Sequence, residues 1–121
     1  MISRRAAIQG TIVGTVLQVA MVVAGHSMPT VAEQFAPVGM AISLVAGLVY
    51  SRIAEDRGLR SLALGGLIAG GLCALIGIVV SYLLGDVPAA IIALGTCGSA
   101  VTGAIGGAAG KLMFGPKGVT A

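Results

Sequence analysis

Thr11, Thr15, Gln18 and His26 are the side chains of this 121-residue sequence whose types and spacing best suit chemistry on a shared surface. At about 100° per residue, positions i, i+4 and i+7 fall on one side of a helix. Thr11, Thr15 and Gln18 follow that spacing, and His26 and Arg4 extend the side at its two ends. Hydroxyls and a carboxamide in line inside an apolar segment make a candidate polar track for a solute or ion. Inter-helical hydrogen bonding, at about 0.6 kcal/mol per contact, is the role more expected of them, since intramembrane amides commonly act as glue. His26 and Met28 are metal-ligand types, but one imidazole and one thioether do not complete a site. His26 is therefore expected to be structural, with Glu33 as its partner or as a cap of the intervening loop.

Other chemistry has no residues to carry it. The sequence holds no Ser/His/Asp or Cys/His constellation, no paired carboxylates and no phosphate-binding loop, so no enzyme activity, cofactor or metal is expected. No Asp, Glu, Lys or Arg falls in the middle of an apolar segment, so the chain lacks the ionisable relay of a proton-coupled carrier. Cys73 and Cys97 both lie in mid-segment, where thiols behave as small apolar groups. Antiparallel neighbours would bring them to similar depth, within reach of a bridge.

The elements that position these residues are four apolar segments at about 6–24, 37–53, 59–84 and 88–113. With 57% hydrophobic and 9% charged residues, the chain cannot cover a soluble surface, which takes about a quarter charged residues. Each segment has about the 20 residues that cross a hydrocarbon layer, leaving room for one domain. All seven Lys and Arg fall on one side of such a layer: Arg4 and Arg5, then Arg52, Arg57 and Arg60, then Lys111 and Lys117. The other side holds Glu33 and Asp86. The positive-inside rule places both termini in the cytoplasm, with a bacterial inner membrane as the expected location. The bases lack interleaved aromatics, so anionic headgroups are their expected partner and nucleic acid is not. The first segment resembles a signal peptide in outline, yet Gln9, Gln18 and its small residues mark it as a retained span.

The expected fold is therefore all-α: a four-transmembrane-helix bundle of two helical hairpins. Loop chemistry refines it. Thr30 is placed to cap a turn over 31–35, Pro37 and Pro88 to open helices, and Gly58 to end one. Tyr50 and Arg52 suit the inner interface, and Gly115-Pro116 cannot continue a helix. Arg5 to Gly10 repeats as Arg60 to Gly65, and Pro37 to Gly47 as Pro88 to Gly98. These repeats suggest a duplicated hairpin about an axis along the membrane normal.

Twenty glycines are hard to tolerate in isolated helices, at about 0.8–1 kcal/mol each against Ala. Small residues at three- and four-residue spacing give each segment a face for close packing: Gly10 and Gly14; Gly39, Ser43 and Gly47; Gly66 and Gly70; Gly95, Ser99, Gly103, Gly106 and Gly110. Such faces let backbones meet where lipid provides no hydrophobic drive. The fourth segment has small residues around much of its circumference, which predicts a homo-oligomer or another membrane partner. So tight a bundle is expected to leave no internal space for a pore, with any path forming between subunits. The leading functional expectation is an accessory or assembly subunit of a membrane complex. The alternative is an oligomeric passive channel or transport protein for a small solute or ion.

Overall fold

The computed structural model describes residues 2–114. Four helices in that range are long and apolar enough to cross a membrane: α1 (Arg4–Ser27), α3 (Phe35–Ile53), α4 (Leu59–Leu83) and α5 (Ala90–Phe114). A single-turn α2 (Pro29–Ala32) joins the first two. The described chain contains no strand, and its helices mark a multi-pass membrane protein. Lys117 and the expected helix stop at Gly115-Pro116 lie outside the described residues.

Local chemistry sets the ends. α1 starts at Ser3, whose hydroxyl accepts the Ala6 N–H at 3.2 Å. It stops at Met28, held extended because Pro29 follows. Pro29, not Thr30, begins the next turn, and no side chain caps it; proline's fixed φ already suits a first helical position. Pro37 falls within the first turn of α3, where the missing N–H costs no helical bond. Pro88 lies before α5, and its carbonyl accepts the Ile91 N–H at 3.0 Å.

Gly58 does not end α3. It is extended and sits at the N-cap of α4. α3 ends at Ile53, where the Arg57 guanidinium donates to the Ser51 and Ala54 carbonyl oxygens, capping groups that have no helical donor. At the far end of α4, Gly85 takes a φ of 81°. Its N–H bonds to Tyr82 O at 2.9 Å, and the Asp86 N–H bonds to Ser81 O at 3.0 Å. This is a Schellman stop, and it fixes where Asp86 stands.

Two antiparallel hairpins, α1–α3 and α4–α5, lie side by side. α1 packs along α4, α3 along α5, and α3 also touches α4, whereas α1 and α5 make no substantial contact. A twofold axis along the bundle would make the α1–α5 and α3–α4 contacts equivalent. The second hairpin is instead displaced sideways from the first, each helix beside its parallel counterpart.

Three helices converge at Gly103. A Cβ on Gly47 or on Gly66 would overlap the Gly103 carbonyl oxygen, and one on Gly70 would come within 2.7 Å of its Cα. α5 thus uses its small residues against α3 and α4 of the same chain. Its remaining face shows Leu94, Val101, Ile105 and Leu112.

Tyr50 is not at the bundle's surface but fully buried. Its ring fills the space a Gly65 side chain would take, and its hydroxyl accepts the Ser3 N–H at 2.9 Å. That bond, with Ser51 against Gly110, gathers the start of α1 and the ends of α3 and α5 at one end of the bundle. Arg4, Arg5, Arg52, Arg57, Arg60 and Lys111 flank this basic end. His26, Glu33 and Asp86 occupy the opposite, acidic end.

Candidate functional site

The hairpins meet closely in the basic half and part in the acidic half. α3 and α5 touch backbone to backbone where Gly47 meets Gly103 and where Gly106 meets the Leu44 carbonyl. One turn or two nearer the acidic end, a Cβ on Gly98 would meet only Met40 Cε, at 3.6 Å. A Cβ on Gly39 would find only Gln18 Oε1 at 3.5 Å and Met21 Cε at 3.6 Å. Large side chains, among them Phe35, Met40, Ile78 and Ile91, stand between the hairpins there. They border a partly open cavity of about 570 Å³ lined by all four long helices, a volume typical of small-molecule sites. The expectation of no internal space for a pore makes no allowance for such a cavity, which is possible because the backbone-to-backbone glycine contacts are concentrated in one half of the bundle.

Gln18 forms the cavity's inner end and is only 3% exposed. Its Nε2 donates to the Gly39 carbonyl at 3.0 Å and to Ser43 Oγ at 3.4 Å. The Gly39 acceptor fixes which end of the amide is nitrogen. Ser43 Oγ in turn donates to the Gly70 carbonyl at 3.2 Å, where Cys73 Sγ also donates at 3.2 Å. The network joins α1, α3 and α4 and occupies the donors of the carboxamide. Its Oε1 accepts no hydrogen bond from any described residue and lies near Gly39 and Gly77, both of which border the cavity.

The cavity's other end is acidic. Asp86 and Glu33 border it, and Asp86 Oδ2 meets His26 Nδ1 at 2.9 Å. His26 therefore pairs across 60 residues with Asp86 rather than with Glu33. The Schellman stop brings that carboxylate over the end of α1. Ser81 and Ser99, 2% and 4% exposed, also border the cavity.

The polar track does not form as one line. The buried residues of α1 are Ala6, Gly10, Gly14, Gln18, Val22 and Gly25; the first five are four apart, so over them the buried face turns by about 40° at each step. Thr11 and Gln18, seven apart, stay aligned while that face rotates. At Thr11 the face has turned away. Thr11 therefore borders a separate shallow groove with Arg4 and Leu72, and Thr15 is half-buried on the same flank. Neither threonine hydroxyl has a hydrogen-bond partner among the described residues.

Cys73 is buried and Cys97 exposed, both free; Cys73 Sγ stands 2.6 Å from where a Gly14 Cβ would be. Among the described residues no group of three or more His, Cys, Asp or Glu is placed to hold a metal ion. Of the residues around Gln18, sequence spacing signals Ser43 and Gly39 only as packing positions. Their hydrogen bonding depends on which face of α3 meets α1, and Asp86 carries no signal beyond its turn. Comparison with protein-family models, with characterised proteins and with solved structures finds no match to this chain.

Proposed function

We propose that this protein sits in a membrane with both termini in the cytoplasm and admits a small molecule to its cavity from the outer side, as a channel or transport protein does. The orientation rests on the basic flanks gathered at one end of the bundle, which the positive-inside rule assigns to the cytoplasm. The observation that carries the functional reading is the one-ended cavity: it runs from Asp86 and Glu33 to Gln18, and the Gly47–Gly103 contact closes the bundle beyond it. Glycine-mediated packing is the seal, since Cβ-free contacts hold the inner half shut without side-chain interdigitation. Passage would require the two hairpins to part there. No catalytic step, cofactor or metal belongs to this reading.

An accessory or assembly subunit of a larger complex, or a homo-oligomer, is the second reading. It is favoured by α5, the least buried long helix, whose exposed Leu94, Val101, Ile105 and Leu112 are available to a partner. Flux into liposomes holding only the purified protein separates the two. Solute flux that is lost in Gln18→Leu supports the transport role. A silent protein that co-purifies with a larger membrane complex supports the accessory role.

A further inference from the structure

We propose that the cavity's ligand is a small organic cation with an apolar body and a hydrogen-bond donor at its far end. The inference rests on the solute-handling reading and names its ligand class. Among the described residues, the carboxylic acids Glu33 and Asp86 are the charged side chains bordering the cavity, and no Lys or Arg borders it. The connections at this end of the bundle also contain no Lys or Arg. A cationic head is attracted there and an anion repelled. Walls that include Met21, Met40 and Phe35 present polarisable thioethers and an aromatic ring, surfaces that suit a cation's apolar body.

The inner end adds an independent requirement. Gln18 is almost wholly buried, its nitrogen is committed to Gly39 and Ser43, and its Oε1 is left without a donor. That oxygen faces the cavity as a free acceptor, and a ligand N–H or O–H satisfies it. A lipid acyl chain would not. Eight residues of α1 separate Gln18 from His26, which contacts Asp86. At 1.5 Å per residue that is a span of about 12 Å, the reach of a single-ring amine hydrogen-bonded at both ends.

The test uses the full chain in nanodiscs of zwitterionic phospholipid and four probes read by titration calorimetry. These are tyramine, phenethylammonium (which lacks the hydroxyl), para-cresol (which lacks the cation) and para-hydroxyphenylacetate (an anion). Tyramine is expected to bind saturably and roughly tenfold tighter than either phenethylammonium or para-cresol, the order of effect of one charge-assisted or one buried hydrogen bond. The anion is expected not to bind. Glu33→Gln, at an exposed position that leaves the fold untouched, weakens tyramine but not para-cresol. Gln18→Met removes the advantage of tyramine over phenethylammonium. Equal binding of tyramine and para-cresol, both indifferent to Glu33→Gln, overturns the cation assignment and leaves the cavity reading standing. No saturable binding by any probe, with phospholipid retained in native mass spectra, overturns both.

Discussion

The Gln18 carboxamide nitrogen donates to the Gly39 carbonyl oxygen at 3.0 Å, at the level where the bundle changes from closed to open. On one side of this bond backbones touch through glycine. On the other, larger side chains hold the hairpins apart around a cavity. One side chain therefore both ties α1 to α3 and forms the cavity's inner wall.

Gln18→Leu removes this tie and leaves the Gly39 carbonyl without its donor. Inter-helical hydrogen bonds within membranes are worth about 0.6 kcal/mol and at most about 1.7. The variant is expected to fold and lose stability within that range, measured by unfolding in mild detergent. Unchanged stability would mean that the bond contributes nothing.

Gly103 and Gly98, five positions apart on α5, are expected to respond oppositely to alanine. A Cβ at Gly103 overlaps the Gly66 carbonyl and lies 2.9 Å from Gly70 Cα, so Gly103→Ala must push helices apart, at a cost of about 1–3 kcal/mol. A Cβ at Gly98 has room, so Gly98→Ala is neutral or stabilising by up to about 1 kcal/mol of helix propensity. Thermal melts of the two variants side by side make the comparison, and equal melting temperatures would contradict it.

Tyr50 and Gly65 form a single packing unit, because the ring occupies the volume of the absent Gly65 side chain. Gly65→Ala should destabilise the wild type, yet cost much less when Tyr50→Leu has removed the ring. A double-mutant cycle should therefore show coupling between about 0.5 and 3 kcal/mol. Additive effects would place the ring elsewhere.

Gly85→Ala puts a Cβ on a backbone with φ of 81°, which disfavours an L-residue by about 1–2 kcal/mol. Since Gly85 sets the position of Asp86, this variant is also expected to weaken cation binding, although it touches no ligand. Binding at wild-type strength would show that the turn does not position the carboxylate.

The four long helices were legible because their signals are local. Apolar length and the Pro-bearing turns each lie within one segment or its flank, and the observed ends fall within three residues of the expected ones. Features that depend on how segments meet were not legible. The burial of Tyr50 requires Gly65 of another helix opposite it, and the His26–Asp86 pair spans 60 residues. The cavity is not legible in the sequence because small residues recur along every segment whatever their depth. Gly47, Gly66, Gly103 and Gly107 cluster at one level, and Gly39 and Gly98 lie beyond it, where backbones are already apart. Thr11 and Gln18 border different surfaces for a related reason: seven-residue spacing keeps a line straight, but the buried face of α1 advances mostly in steps of four.

Cysteine accessibility in sealed vesicles tests the central claim, a cavity open to the outer side and closed at Gln18, most directly. With Cys73 and Cys97 replaced by alanine, Gly39→Cys and Gly98→Cys border the cavity where side chains have room, and Ser51→Cys lies fully buried in the closed half. A small impermeant methanethiosulfonate reagent is expected to label the first two from the side opposite the termini, and Ser51→Cys from neither side. Labelling of Gly39→Cys and Gly98→Cys only from the side of the termini, or of Ser51→Cys as readily as the others, would contradict the account.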